Sequence, residues 1–179
     1  MRITLIGYRG CGKSTLAPLL ARRLQCEWVD ADVVIEQQAG CSIKEIFARE
    51  GEPGFRQREA GVLAELLRRD PLVIAAGGGA ILNAQTRQLM RAAGPVIWLQ
   101  APLEALAARI AGDATTAERR PNLAGGGTAE IAQMLAFREP LYRETATLTL
   151  DTGSRPPAEL VDEILAQLAD QDVGERTTG

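Results

Sequence analysis

The chain has 179 residues, 20 basic and 23 acidic side chains, a formal net charge of −3 and no histidine. The missing histidine excludes a Ser-His-Asp triad, a His-ligated zinc site and an imidazole base, so proton transfer falls to carboxylate, lysine, tyrosine, cysteine or bound water. The mild acidity argues against general nucleic-acid binding. No stretch approaches the roughly 20 apolar residues that span a membrane, and the length fits one domain.

The three cysteines, Cys11, Cys26 and Cys41, are widely spaced, and no histidine could complete a zinc site with them. This pattern favours reduced thiols over disulfides and predicts a cytoplasmic protein. The sequence reaches Gly7 after a short apolar run, which we interpret as leaving no room for a signal peptide. Because no heptad seam is evident, we expect a monomer.

Short β-like runs alternate with amphipathic segments along the chain. Apolar and β-branched residues predict five strands, at Ile3–Ile6, Trp28–Val29, Leu72–Ala76, Val96–Leu99 and Thr147–Leu150. Helical spacing of apolar residues predicts helices around Leu16–Leu24, Ile43–Phe47, Val62–Leu67, Leu103–Ile110, Ile131–Leu135 and Leu160–Leu168. A capping box of Ser42 and Glu45 marks the start of the helix predicted at Ile43–Phe47. Such alternation is typical of an α/β fold, with a mostly parallel sheet covered by helices on both faces.

Two stretches depart from this alternation. Residues 112–127 hold several glycines, a proline and charged residues without apolar periodicity, which indicates a mobile loop or lid. Residues 170–179 are polar, and we expect them to form a flexible tail. A single domain is therefore predicted over residues 1–169.

Residues Gly7 to Ser14 match the phosphate-binding pattern G-x-x-x-x-G-K-[ST], directly after a predicted strand and before a predicted helix. The glycines let backbone N–H groups surround a polyphosphate, Lys13 reaches its β and γ phosphates, and the Ser14 hydroxyl can ligate Mg²⁺. This pattern predicts binding of ATP or GTP. A GTPase would need a base-reading N-K-x-D motif, and the second lysine of the chain, Lys44, does not lie in one.

The second predicted strand ends in Asp30-Ala-Asp32. Carboxylates at this spacing can turn to different partners, one to a hydrated Mg²⁺ and the other to a substrate hydroxyl. Alternatively, Asp30 or Asp32 caps a helix that is expected to begin near Val33. The neighbouring phosphate loop favours the functional interpretation.

Glycines and arginines mark the remaining candidate positions. The third predicted strand opens into Gly77-Gly-Gly79, where a bare backbone permits close approach by a ligand. Among 18 arginines, Arg56, Arg109, Arg120 and Arg138 stand out by their sequence neighbourhood. A guanidinium can hold a carboxylate or phosphate by two hydrogen bonds, and a solvated surface charge is the alternative for each.

Together these residues resemble the shikimate kinase family of small P-loop metabolite kinases, from Ile3 to about Leu168. The landmarks in order are the phosphate loop, Asp30-Ala-Asp32, Gly54-Phe-Arg-Gln-Arg-Glu59, Gly77-Gly-Gly79, Arg120-Pro and Arg138-Glu-Pro-Leu-Tyr142. The resemblance implies a three-layer P-loop kinase fold with a five-stranded parallel sheet, similar to nucleoside monophosphate kinases. It implies a substrate-binding region at about 31–61 and a lid at about 112–127. It also implies transfer of the ATP γ-phosphate to the 3-hydroxyl of shikimate, with Mg²⁺ as cofactor.

The resemblance further implies roles for individual residues. Shikimate would be held by Asp32, Arg56, Gly77, Gly78, Gly79 and Arg138, and Glu59 would orient Arg56. ATP would be bound by Gly10, Cys11, Gly12, Lys13, Ser14, Thr15, Arg109, Arg120 and Arg155, with Arg109 and Arg155 beside the adenine. The catalytic residues would be Asp32, Lys13 and Arg120. Mg²⁺ would be held by Ser14 and, through water, by Asp30.

The sequence departs from the family pattern at two places. The lid reads Glu-Arg-Arg-Pro-Asn-Leu, so Arg119 competes with Arg120 for the catalytic role, although the Arg-Pro pair favours Arg120. Cys11 stands where a small hydroxyl residue is frequent. Two other functions stay open: a P-loop kinase for gluconate or a nucleotide, which would not require Arg56 and Arg138 to clamp a carboxylate, and a nucleotide-binding regulatory module without turnover.

Overall fold

A computed structural model describes residues 1–112 and 127–177, with side chains up to residue 170. Its centre is one sheet of five parallel strands in the order β2-β3-β1-β4-β5. The strands are β1 (Arg2–Ile6), β2 (Glu27–Asp30), β3 (Leu72–Ala75), β4 (Val96–Gln100) and β5 (Leu148–Asp151). The predicted α/β fold with a five-stranded parallel sheet is confirmed.

Helices connect the strands and cover the sheet. They are α1 (Lys13–Leu24), α2 (Ala31–Ala39), α3 (Ile43–Leu66), α4 (Ala84–Ala93), α5 (Leu103–Ala111), α6 (Thr128–Thr145) and α7 (Pro157–Thr177), with a short 3₁₀ turn at Ala80–Leu82. Among the helices described, none is long and apolar enough to cross a membrane.

Side-chain alternation along the strands builds two hydrophobic clusters, one on each face of the sheet. In β1, Ile3 and Leu5 belong to the cluster that packs against α1 and α7, whereas Ile6 belongs to the cluster beneath α3 and α4. In β4, Leu99 belongs to the first of these clusters and Trp98 to the second. Because both faces are covered, the inner strands β3, β1 and β4 are buried almost throughout, whereas the edge strands β2 and β5 are partly exposed. The result is the predicted three-layer arrangement.

Several boundaries differ from the sequence-based expectation. The second helix, α2, begins at Ala31 instead of Val33, because the Asp30 side chain caps it from the last position of β2. The helix α4 was not predicted, since half of the ten residues in Ala84–Ala93 are polar and only two side chains, Thr86 and Met90, are buried. Two predicted helical segments form one kinked helix, α3, that bends at Gly51, where φ is 68°.

The proposed lid and tail are only partly described. Of residues 112–127, the structure describes Gly112, at the end of α5, and Gly127, which precedes α6. The helix α7 continues to Thr177, well past residue 170, where a flexible tail was expected to begin. The flexibility of both segments stays a prediction.

The capping box at Ser42 and Glu45 is confirmed, with a hydrogen bond from Glu45 N to Ser42 Oγ of 3.2 Å and one from Ser42 N to Glu45 Oε2 of 2.8 Å. We expect Ser42→Ala to lower the free energy of unfolding by about 1 kcal/mol, because the first turn of α3 loses its acceptor. Urea unfolding measures this loss. The exposed Ser154→Ala provides the control, and equal stability of the two variants would contradict the prediction.

Candidate active site

The loop between β1 and α1 has a backbone that only glycine adopts easily. Gly7, Gly10 and Gly12 have φ angles of 140°, 78° and 100°, a region that L side chains rarely occupy. Space is also short at Gly7, because a Cβ there would lie 2.5 Å from the carbonyl oxygen of Leu99. The glycines expected to form a phosphate cradle are therefore required by the conformation of the loop itself.

Lys13, the first residue of α1, folds back over this loop. Its Nζ donates to the carbonyl oxygens of Gly7 and Tyr8, at 2.9 and 3.0 Å, and lies 3.5 Å from the Sγ of Cys11. The ammonium group is thus held beside the backbone that would surround an anion. Cys11 is 1% exposed and belongs to the hydrophobic core, so its thiol is turned away from solvent.

Asp30 connects the end of β2 with the start of α1. Its Oδ2 accepts a hydrogen bond from the Ser14 hydroxyl at 3.1 Å. Its Oδ1 accepts one from the backbone N–H of Asp32 at 3.0 Å and caps α2. Capping and a role beside the loop are therefore not alternatives for Asp30, because each oxygen has its own partner. Asp32 lies half-buried in the first turn of α2, at the same edge of the sheet.

The turn Gly77-Gly-Gly79 lies between the phosphate loop and two arginines. A Cβ on Gly78 would lie 3.4 Å from the carbonyl oxygen of Gly7, and a Cβ on Gly79 would lie 2.3 Å from the Nη1 of Arg56. The three glycines are not among the residues with positive φ. A side chain at position 79 would collide with the Arg56 guanidinium unless that group moved, and Gly78 lies within van der Waals distance of the phosphate loop, which agrees with the close approach expected at this turn.

Arg138, on α6, is a buried cation beside this turn. It is 7% exposed, its Nη1 donates to the carbonyl oxygen of Gly78 at 3.3 Å, and its guanidinium lies 5.6 Å from the centre of the Tyr8 ring. In the described parts of the chain its buried Nε has no acceptor, and no carboxylate forms an ion pair with it. Since an unpaired buried charge costs free energy, this position favours an anionic ligand.

Tyr142, which lies four residues after Arg138 on α6, also contacts the Gly77–Gly79 turn. Its hydroxyl donates to the carbonyl oxygen of Gly78 at 2.6 Å, and its ring stacks on Trp98 with the centres 5.6 Å apart. Burial raises the pKa of Tyr142, so the phenol stays protonated and remains a hydrogen-bond donor. The peptide group of Gly78 is therefore fixed from the α6 side.

Arg56 lies on α3 beyond the kink. Its Nη1 donates to Glu59 at 2.6 Å, and its Nε and Nη2 donate to Glu52 at 3.3 and 3.1 Å. Burial alone would lower the pKa of Arg56, but Glu59 and, more weakly, Glu52 raise it overall. Glu59 is buried, whereas the side chain of Glu52 is 62% exposed. Glu59 thus contacts Arg56 in the way that the resemblance implied.

A cavity of about 400 Å³ opens beside the phosphate loop. Its lining includes Gly10, Cys11, Gly12, Thr15, Arg109 and Arg155. Arg109 donates to the carbonyl oxygens of Gly10 and Gly153 at 3.1 and 2.8 Å, and Arg155 forms an ion pair with Glu163. The two arginines expected beside the adenine therefore line one cavity with the loop. Arg119 and Arg120 lie outside the described residues.

Comparison with known proteins agrees with this geometry. The family described as shikimate kinase matches residues 9–169. The shikimate kinase of Rhodopirellula baltica is 51% identical over 90% of this chain and 87% of its own length, and that of Pseudomonas savastanoi pv. phaseolicola is 44% identical over 94% and 96%. A solved structure of shikimate kinase from Acinetobacter baumannii in complex with shikimate superposes with a TM-score of 0.88, at 37% identity, covering 95% of this chain and 93% of that one.

The chain belongs to the shikimate kinase family. The match covers nearly the whole described fold, from the phosphate loop to α7. The expectation drawn from the ordered sequence landmarks is thereby confirmed at the level of the family, while the roles of single residues stay proposals.

Two residues that contact the backbone of the site were given no role from the sequence. Tyr142 appeared only as the last residue of the landmark Arg138-Glu-Pro-Leu-Tyr142, although a spacing of four residues from Arg138 places both on one face of a helix. Thr152 contacts the carbonyl oxygen of Cys11 at 3.0 Å. No local pattern marks Thr152, because its partner lies 141 positions away in the sequence.

We expect Glu59→Gln to lower the free energy of unfolding by about 1–3 kcal/mol, because Arg56 then keeps a partly buried charge without its buried counter-charge. Urea unfolding at neutral pH measures the change. The exposed Glu65→Gln on the same helix is the matched control. If both variants were as stable as the unmodified chain, the Arg56–Glu59 pair would contribute nothing measurable to the free energy of unfolding.

Proposed function

We propose that this chain is a shikimate kinase, which transfers the γ-phosphate of ATP to the 3-hydroxyl of shikimate and releases shikimate 3-phosphate and ADP. The observation that carries the proposal is the buried guanidinium of Arg138, which lies beside the Gly77–Gly79 turn and next to a phosphate loop. Similarity to shikimate kinases along almost the entire chain supports this acceptor.

The carboxylate of shikimate would supply the anion that Arg138 lacks among the described residues. Arg56 would contribute its Nε and Nη2, because their present partner, Glu52, is an exposed carboxylate that a ligand can replace. Glu59 would continue to hold Nη1, so that the plane of the Arg56 guanidinium stays fixed during the exchange. Asp32, at the same edge of the sheet, is assigned to the hydroxyls of shikimate.

Mg²⁺ fits the pair formed by Ser14 and Asp30. This ion prefers oxygen ligands, keeps several waters and takes others from nucleotide phosphates. The Ser14 hydroxyl and the Asp30 carboxylate offer oxygens 3.1 Å apart at the start of α1, and within the described ranges no larger cluster of Asp, Glu, Cys or His could hold a metal. Ser14 would ligate the ion directly and Asp30 through water. When bound, Mg²⁺ neutralises charge on the β and γ phosphates.

Phosphoryl transfer passes through a loose transition state, so alignment and neutralisation of charge matter more than a strong base. Lys13 would supply positive charge from the phosphate loop, and we assign Arg120, in the lid, to the transferring phosphate. An aspartate carboxyl is ionised at neutral pH. Asp32 can therefore orient the 3-hydroxyl and accept its proton as the new bond forms.

The same proposal places the reaction in the cytoplasm, with a single chain as the active unit. The free thiols of Cys11, Cys26 and Cys41 support a reducing compartment. The monomeric state and the absence of nucleic acid among the partners stay predictions from composition and sequence pattern.

The proposed function is tested by ADP release with shikimate, gluconate and nucleoside monophosphates offered separately. We expect shikimate-dependent ADP formation that greatly exceeds ADP formation with the other acceptors. Well-folded protein that released no ADP with shikimate would contradict the proposal. Turnover with gluconate or a nucleotide instead would identify another P-loop kinase, and binding of ATP without turnover on any acceptor would identify a regulatory module.

Asp32→Asn should lower kcat by about 100-fold or more, because the neutral amide cannot accept the proton of the hydroxyl. The affinity for ATP should change little, since the phosphate loop is intact. Steady-state kinetics and nucleotide titration measure the two effects. Asp162→Asn, at an exposed ion pair with Arg23, controls for loss of a carboxylate elsewhere. Retained activity in Asp32→Asn would remove the role assigned to Asp32.

Arg56→Lys should raise the KM for shikimate about tenfold, because an ammonium group cannot reproduce the two-pronged contact of a guanidinium with a carboxylate. The KM for ATP should change much less. Arg58→Lys on the same helix, where Arg58 pairs with Glu50 at 2.8 and 2.9 Å, is the matched control. Equal loss of affinity for both substrates in Arg56→Lys would show that Arg56 does not serve the acceptor specifically.

A further inference from the structure

Thr152 occupies a fixed position at the end of β5. It is 4% exposed, and its backbone N–H donates to the carbonyl oxygen of Gln100 at 2.7 Å, which continues the pairing of β4 with β5 by one residue. Two neighbouring strands thus define where its side chain points. Sequence reasoning gave this residue no role.

The Thr152 hydroxyl lies within hydrogen-bond distance of two carbonyl oxygens, that of Cys11 at 3.0 Å and that of Gln100 at 2.9 Å. A hydroxyl has one proton to donate. The carbonyl of Gln100 already accepts the backbone N–H of Thr152. For the carbonyl of Cys11, the hydroxyl is the one donor found among residues 1–112 and 127–177. Bonding to Cys11 therefore satisfies a buried acceptor that would otherwise lack a partner.

Arg109 reinforces this arrangement. Its Nη1 lies 3.5 Å from the Thr152 hydroxyl and donates to the carbonyl oxygen of Gly10 at 3.1 Å, while its Nη2 donates to the carbonyl oxygens of Thr152 and Gly153 at 3.1 and 2.8 Å. A cation next to a hydroxyl polarises it and strengthens the bond that the hydroxyl donates. The end of β5 and the helix α5 are thus tied to two successive carbonyls of the phosphate loop.

The orientation of the Cys11 carbonyl has a consequence for the next residue. In a trans peptide the C=O and the following N–H point in opposite directions. Holding the Cys11 oxygen against Thr152 therefore directs the N–H of Gly12 away from Thr152. Gly12 lines the cavity of about 400 Å³ at the loop, and in a phosphate loop such N–H groups are the ligands of the nucleotide phosphates.

We propose that Thr152 is a positioning residue for the nucleotide: its hydroxyl fixes the Cys11–Gly12 peptide so that the Gly12 N–H is aimed at a phosphate before the nucleotide binds. This inference rests on the use of ATP proposed above. It assigns to the residue after β5, which lines the same cavity as Gly12, a part in phosphate binding through the backbone of the loop.

The test compares Thr152→Val with Thr152→Ser. Valine keeps the branched shape and removes the hydroxyl, whereas serine keeps the hydroxyl. Isothermal titration with MgADP in the absence of shikimate should show about tenfold weaker binding for Thr152→Val, because the Gly12 peptide must be ordered on binding and the Cys11 carbonyl loses its donor. Thr152→Ser should bind MgADP nearly as well as the unmodified chain, and shikimate affinity should stay unchanged in both.

The exposed Thr149→Val in the same strand controls for the change of residue type. If Thr152→Val did not fold, Thr152→Ala would remove the hydroxyl with less steric change. Equal ADP affinity of the unmodified chain and Thr152→Val would overturn the inference. An equal loss in Thr152→Ser, or an equal loss of shikimate affinity, would also overturn it, since either result would indicate general loosening.

ADP binding is measured here without an acceptor, so the two proposals fail separately. An unmodified chain that binds MgADP but does not phosphorylate shikimate would contradict the function proposed above, and the comparison of Thr152→Val with Thr152→Ser would still decide the role of Thr152.

Discussion

A positive charge buried beside a phosphate-binding loop is the constraint around which the acceptor side is arranged. The Gly78 carbonyl and the Tyr8 ring give the Arg138 guanidinium neutral partners, which only partly offset its lost hydration. A ligand with a carboxylate would supply a counter-charge to Arg138, whereas a neutral ligand would leave the buried guanidinium without one from the described residues. If Arg138 binds the acceptor as proposed, discrimination between acceptors would arise partly from the free-energy cost of a buried cation that has no counter-charge among the described residues.

The parallel sheet brings the separate parts of the site together at one edge. β1 ends at the phosphate loop, β2 ends at Asp30, and β3 ends at the Gly77–Gly79 turn. The three strands are hydrogen-bonded to one another along their length, so these groups are anchored at the ends of paired strands. The glycine turn brings Arg56 and Arg138 close to the loop without any intervening side chain. Reactions that depend on alignment benefit from such anchoring.

Features encoded within a few residues could be predicted from the sequence, and features that join distant segments could not. The phosphate loop and the Ser42–Glu45 capping box each lie within one short stretch, so their patterns sufficed. The need for glycine at position 79 depends on Arg56, which arrives from another helix. The helix α4 escaped prediction because half of its ten residues are polar and only Thr86 and Met90 are buried. Arg120 stood out by its sequence neighbourhood, and its role at the transferring phosphate was inferred from the family resemblance.

The two hydrogen bonds of the Asp30 carboxylate bear on the entropy of the Mg²⁺ binding that we propose for this residue. One oxygen is held by the start of α2 and the other faces Ser14, so the side chain has already lost its rotamer freedom when the chain folds. A flexible aspartate would lose that freedom only when the ion arrived, and this loss would weaken binding. If Asp30 takes part in binding Mg²⁺ as proposed, the helix cap would therefore transfer the cost of orienting this carboxylate from the binding step to the folding of the chain.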